Sequence, residues 1–169
     1  VNPFVGTDGY GNVYPGAQIP FGGIQISPDT DSRFYDAASG YKYNHLTLMG
    51  FSLTHLSGTG IPDLGDFLFI PGTGEMKLEP GTHEDPDQGY RSRYSHDKEW
   101  ASPNYYAVEL ADYGVKAEMT SGVRSGMFRF TYPESDNAFI MIDMNHTLWQ
   151  SCEWSNLRMI NDSTITGYK

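Results

Sequence analysis

Residues 105–143 read Y-Y-A-V-E-L-A-D-Y-G-V-K-A-E-M-T-S-G-V-R-S-G-M-F-R-F-T-Y-P-E-S-D-N-A-F-I-M-I-D, and their alternation decides the fold class. Tyr105–Leu110 alternates, and Asp112-Tyr113-Gly114 turns. Val115–Thr120 then sets Val115, Ala117 and Met119 on one face against Lys116, Glu118 and Thr120 on the other. After Ser121-Gly122, the run Val123–Tyr132 opposes Phe128, Phe130 and Tyr132 to Arg129 and Thr131, and Pro133–Asn137 turns before Ala138–Asp143. A period of two, broken by turn residues at even spacing, predicts an all-β, antiparallel β-sandwich.

Composition agrees. Twelve Tyr, 9 Phe and 19 Gly in 169 residues favour strands and turns over long helices. That length predicts one domain able to bury a substantial core. The formal charge of -10 excludes the usual electrostatics of nucleic-acid or anionic-membrane binding. No segment approaches the roughly 18 apolar residues of a membrane-spanning helix. Cys152 is the single cysteine, so no internal disulfide can form. Val1 opens directly on a Pro/Gly-rich motif, so a signal peptide, where the protein has one, is expected to be cleaved or to lie outside this sequence.

The N-terminal half is punctuated too often for helix. Within residues 2–30 only Gly23–Ser27 alternates, and the rest predicts an irregular loop whose backbone groups are put to use. Phe21-Gly22-Gly23 would set an aromatic face beside bare backbone, suited to stacking on a sugar ring or, equally, to a core Phe at a tight turn. A short edge strand is predicted at Ser39–Tyr43. Arg33 is a candidate for holding a carboxylate or a hydroxyl, or is simply solvated.

Gly50–Asp66, G-F-S-L-T-H-L-S-G-T-G-I-P-D-L-G-D, combines glycines with short polar side chains and leads into a predicted strand at Phe67–Ile70, with a turn at Pro71–Gly74. Dense hydrogen-bonding groups on such a loop suit a polyhydroxylated ligand, and a plain crossing between strands is the alternative. His55 would bond a sugar hydroxyl or stay buried with one nitrogen satisfied. Asp63 and Asp66 would form a carboxylate pair or cap nearby backbone N–H groups. His83, Glu84, Asp85 and Asp87 lack fixed spacing, so a solvated acidic loop is expected there rather than a metal site. Ser95–Pro103 is too short for a full helix, residues 144–164 are ambiguous, and Ile165–Tyr168 reads as a strand. Asn145-His146-Thr147 and Asn161-Asp162-Ser163 match the glycosylation pattern, a weak signal that means nothing in a bacterial source.

Four stretches in order carry a resemblance: residues 1–30, V-N-P-F-V-G-T-D-G-Y-G-N-V-Y-P-G-A-Q-I-P-F-G-G-I-Q-I-S-P-D-T; S-G-Y followed by Gly50–Asp66; Y-R-S-R-Y-S-H-D-K-E-W-A-S-P-N-Y-Y at 90–106; and D-Y-G-V-K-A-E-M-T through R-S-G-M-F-R-F-T-Y-P. Together they resemble the N-terminal domain of glycoside hydrolase family 92, calcium-dependent exo-α-mannosidases common in gut Bacteroidetes. The resemblance implies a supersandwich-type domain, incomplete here, packed on a C-terminal (α/α)6 barrel that holds the acid, the base and most calcium ligands. No catalytic or metal-binding residue is then expected in residues 1–169. It implies a secreted or periplasmic bacterial enzyme that releases mannose from glycans such as N-glycans by inversion. Phe21, Gly22 and Gly23 would wall the terminal mannose, and His55, Gly58, Thr59, Gly60, Asp63 and Asp66 would line the neighbouring subsite. Leu53 and Ile61 stand where α-1,2-specific members carry a second His and a Cys, which leaves linkage open. A non-catalytic carbohydrate-binding sandwich and a plain interaction domain are the competing readings. Assay of fragment and full-length protein on an α-mannoside, with and without a chelator, separates them.

Overall fold

The computed structural model describes residues 1–33 and 35–169. In chain order its strands are β1 Ser27–Asp29, β2 Thr47–Leu48, β3 Gly50–Ser52, β4 Leu68–Thr73, β5 Ser92–Arg93, β6 Glu99–Ser102, β7 Tyr105–Leu110, β8 Val115–Ser121, β9 Gly126–Thr131, β10 Ala138–Asp143, β11 Asn156–Asn161 and β12 Thr164–Tyr168. One four-stranded sheet has the order β1-β3-β4-β10 and the other β6-β7-β8-β9; β2 pairs with β5 and β11 with β12. The pairings are antiparallel, as the alternation predicted.

The core lies between the two larger sheets. Ile26, Leu48 and Phe51 come from the first half, and Tyr106, Val108, Leu110, Val115, Ala117 and Met119 face them from β7 and β8. Phe128 and Phe130 of β9 pack at the margin, their rings 5.4 Å apart. The opposite face of β8 is polar but not bare: Glu118 accepts from Arg129 Nε at 2.8 Å and from Tyr105 Oη at 2.7 Å. The hydrogen bonds from Arg129 hold the Glu118 carboxyl down at about 2.

Several local expectations need correction. Residues 39–43 form no strand, because Gly40 sits at φ +81° and its carbonyl instead accepts from Thr30 N–H at 2.6 Å. Residues 23–26 are not a regular strand either. Ile26 pairs singly with Ala17, and the sheet begins at Ser27, although Ile26 is fully buried as its side of the alternation required. Pro71-Gly72-Thr73 lies inside β4 rather than in a turn. At Pro71 the strand pairs with Ile140 of β10, while its contact with β3 is confined to Phe69, so Pro71 lies where one flank of β4 is unladdered. His96–Lys98 forms a single 3-10 turn that leads straight into β6. The ambiguous segment 144–164 contains β11, and the β11–β12 hairpin is exposed along its whole length.

Candidate functional site

The Gly50–Asp66 stretch leaves β3 and folds back on itself. Leu53 N–H donates to Asp66 O at 3.0 Å, Gly65 N–H to Thr54 O at 2.9 Å, and His55 opposes Leu64. The Thr54 hydroxyl donates to Asp66 Oδ2 at 3.0 Å and accepts from Asp66 N–H at 3.1 Å. This closes the loop that joins the two inner strands β3 and β4, with residues 56–63 as its tip. Gly58 N–H anchors the tip to Asn12 O at 2.7 Å. A Cβ on Gly60 would lie at ordinary contact distance, 3.4 Å from Tyr35 Oη and 3.8 Å from Asn12 Nδ2, so the tip faces Tyr35 and Asn12 at this corner. Thr59 Oγ1 bonds within the tip to Ile61 O at 3.1 Å. Asn12 Oδ1 is buried without a hydrogen-bond partner among the described residues, an unused acceptor beside that corner.

His55 lies beneath the loop, 3% exposed, with both ring nitrogens engaged. Nδ1 donates to Gln25 O at 2.7 Å and Nε2 to Asp29 Oδ1 at 2.7 Å, with Ser52 Oγ 3.0 Å from Nε2. The other oxygen of Asp29 accepts from His146 Nε2 at 2.7 Å. Burial alone would raise the Asp29 carboxyl, but the charge of His55 and the bonds from both rings hold it well below the usual carboxylate range. Gly40 makes room for this cluster, since a Cβ there would collide with Asp29 Oδ1. The geometry therefore makes His55 a positioning residue under the loop, and its ring is not open to a ligand.

Gln25 extends that cluster to the Phe21 loop. Its backbone carbonyl accepts the hydrogen bond from His55 Nδ1, and its side-chain Nε2 donates to Gly22 O at 2.9 Å. Gly22 N–H donates to Ile19 O at 3.0 Å and Gly23 N–H to Val123 O at 2.8 Å, so these backbone donors are used within the protein. What the knuckle presents is the ring. Phe21 is fully exposed at 101% and sits at φ +59°, a left-handed conformation unfavourable for an aromatic residue. Arg33 lies 3.8 Å from the buried Asp31.

Asp63 and Asp66 line one cleft of about 330 Å³ with Trp154 and Lys169. Asp63 Oδ1 accepts from Leu64 N–H at 2.8 Å, the turn-capping role, whereas Asp66 Oδ1 pairs with Lys169 Nζ at 2.9 Å. The site residues thus fall into three linked places: the Phe21 knuckle, the Gly58–Gly60 corner against Asn12, and the Asp63–Asp66 cleft. Asp29, Gln25 and His146, which tie them together, are not evident as site residues from spacing.

Asp31 is a second buried carboxylate nearby. His83 Nε2 donates to it at 3.1 Å and Arg33 N–H at 2.8 Å. Burial opposes ionisation, yet these bonds prevail and bring Asp31 down to about 2 from the ordinary 3.8. A depressed carboxylate contributes stability that is complete above its unfolded value and lost as pH falls through its folded value. The expected contribution is about 2 kcal/mol at neutral pH, disappearing between roughly pH 4 and 2. A series of thermal melts from pH 6 to 2 should fall steeply in that window, and Asp31→Asn should flatten the fall.

The structure is an antiparallel sandwich that carries exposed Phe21 and Trp149 on loops, above a buried carboxylate–histidine cluster. Comparison with known proteins places it more closely. A model of the Glycosyl hydrolase family 92 N-terminal domain matches residues 1–169, and the chain belongs to that family. It is similar to the solved structure of the gh92 family glycosyl hydrolase ccman5, with TM-score 0.80 and 30% identity, over 98% of this chain and 23% of that one. It is also similar to the family GH92 inverting mannosidase BT2199 from Bacteroides thetaiotaomicron VPI-5482, with TM-score 0.68 and 27% identity, over 85% of this chain and 19% of that one. A secreted glycosidase of Arthroderma benhamiae, itself uncharacterized, is 29% identical over 138 residues, which is 80% of this chain and 17% of that protein. The chain therefore spans less than a quarter of each of these relatives.

Proposed function

We propose that this chain is the substrate-binding N-terminal part of an inverting, calcium-dependent exo-α-mannosidase that removes terminal mannose from α-mannosides of glycans such as N-glycans. The supporting observation is the family match across residues 1–169, joined to 27% identity with a protein described as an inverting mannosidase. Inversion requires a carboxylic acid to protonate the leaving oxygen while a carboxylate about 6.5–9.5 Å away activates water. Both belong, in this reading, to the (α/α)6 domain of a longer polypeptide, which would also cover the exposed β11–β12 hairpin. This chain's own residues bind and orient. Phe21 offers a ring to the apolar face of the terminal mannose, with Gly22 and Gly23 giving close approach. The corner formed by Asn12, Thr59 and Gly60 offers oxygens and an amide to the adjoining sugar.

Among the described residues no three His, Cys, Asp or Glu side chains converge in a way that could hold a metal ion. Calcium enters this reading mostly through the remainder of a longer polypeptide. Its oxygen ligands would come from the remainder of the polypeptide. No helix among the described residues is long and apolar enough to cross a membrane, and secretion or a periplasmic location is the proposed setting.

The test uses the full-length protein with an aryl α-mannoside and a mannobiose. Mannose should be released as the β-anomer, turnover should fall at least tenfold in chelator and return with calcium, and residues 1–169 alone should show no turnover. Full-rate hydrolysis by residues 1–169 alone would overturn the two-domain reading. A full-length protein that binds glycans without cutting α-mannosides would favour a pure binding module.

A further inference from the structure

The cleft lined by Asp63 and Asp66 continues into a second of about 470 Å³, the two sharing Thr147 and Gln150. From this groove we infer that residues 145–154 form a saccharide subsite, with Trp149 as its stacking platform, for the part of the glycan beyond the mannose being removed. The inference rests on the reading of the chain as part of a glycan-cleaving enzyme.

Trp149 is held in place by everything around it. Its neighbour Leu148 is fully buried against Gly65, whose missing Cβ would otherwise lie 2.7 Å from Leu148 Cγ. Leu148 N–H donates to Leu64 O at 2.8 Å and Trp149 N–H to Ser32 O at 2.9 Å. Three residues earlier, His146 is pinned to Asp29. Between these anchors Trp149 takes φ +74°, a conformation disfavoured for a bulky side chain, and its ring stands 58% exposed. Strain of this kind persists only where the surroundings over-determine it. Here its effect is to turn a large ring out over the groove. A tryptophan kept for packing would point inward, as Leu148 does.

The walls supply the complement that a stacked pyranose needs. Asn145 and Gln150 carry exposed amides, and Arg33 contributes a guanidinium. Asp143 is fixed as an acceptor by Tyr90 Oη at 3.1 Å and by Asn145 N–H at 2.8 Å. At the far end of the groove Trp154 presents a second ring, 62% exposed. Rings flanked by amide and carboxylate groups match a neutral sugar, apolar on its ring faces and hydroxylated around its rim. The four carboxylates Asp63, Asp66, Asp143 and Glu153 outnumber the cations Arg33 and Lys169 along the walls, which disfavours an anionic one. Each cleft falls within the usual range of small-molecule sites, roughly 300–1,000 Å³.

The test compares full-length wild type, Trp149→Ala, Trp149→Phe and Asn145→Ala. Binding of a thio-linked α-mannotriose is read by calorimetry, and turnover by α-mannosyl fluoride, which carries no sugar or ring beyond the mannose, and by α-mannotriose. Trp149→Ala should weaken mannotriose binding and raise its KM about tenfold while leaving turnover of the fluoride unchanged. Trp149→Phe should recover most of the loss, and Asn145→Ala should move the same way by less. Equal effects on both substrates, or none on mannotriose, would overturn the subsite and leave the groove as a surface covered by the rest of the polypeptide. Wild type that cuts neither substrate would defeat the mannosidase reading instead; the calorimetric difference between wild type and Trp149→Ala would then still decide the subsite. Should Trp149→Ala melt early, the exposed Asn145→Ala change supplies the same comparison.

Discussion

Replacing Asp29 with alanine is expected to remove about 3–5 kcal/mol of folding stability, a large share of what a domain of this size holds. The carboxylate is fully buried and accepts from two histidine rings, His55 26 residues away and His146 117 residues away. Without it, both rings keep a buried N–H and lose the acceptor that made burial tolerable. Asp29→Asn should fall between alanine and wild type, because the amide offers one acceptor oxygen and turns a donor toward the second ring. Denaturant unfolding of the three proteins gives the order wild type, Asn, Ala. Equal stability of Ala and wild type would show that the cluster contributes nothing to folding. Protease susceptibility should rise first at 56–63 and 144–155, since these segments are joined to β1 through His55 and His146.

That cluster also marks the limit of what the sequence made legible. Tyr105–Leu110 and Val115–Thr120 were readable because Tyr106, Val108, Leu110, Val115, Ala117 and Met119 carry the core from one face of each, which leaves a period of two in the residues themselves; Ala138–Asp143, apolar at five of six positions, was placed by the turn before it. β1, β2 and β3 are two or three residues long and buried throughout, so no alternation exists to be read. Their places depend on pairings and on side chains such as Asp29. Pro71 reads locally as a turn, and only the absence of a neighbour on one flank of β4 makes it a strand residue. Within the candidate site, the glycines and hydroxyls of Gly50–Asp66 singled out that loop as a candidate, but the burial of His55 is set by Gln25 O and Asp29, which the local pattern does not encode. Residues 144–155 were unreadable for the same reason. Their conformation is dictated by the carbonyls of Ser32 and Leu64, each supplied by a distant loop.

Phe21→Gly should move stability and activity in opposite directions. The ring is fully exposed and makes no part of the core, while the residue sits at φ +59°. Glycine adopts that conformation without the steric penalty, so relief of roughly 1 kcal/mol is expected, less the greater backbone freedom glycine gives the unfolded chain. Phe21→Ala keeps the strain and removes the ring, and should be neutral or slightly destabilising. If the ring walls the terminal mannose, both variants lose its contact with the reacting sugar. A sugar free to shift by about 1 Å against a fixed acid and base lowers the rate on the order of 100-fold. In full-length protein the expected result is therefore a melting temperature for Phe21→Gly at or above wild type, with kcat/KM on an aryl α-mannoside down by about two orders of magnitude in both variants. Phe21→Tyr, which keeps the ring and the strain, should retain most activity. A Phe21→Gly protein that is destabilised by several kcal/mol would assign the ring to packing against the rest of the polypeptide. One that retains full activity would remove Phe21 from the mannose subsite. The strained knuckle is explained by ligand binding only if stability is kept and catalysis is lost.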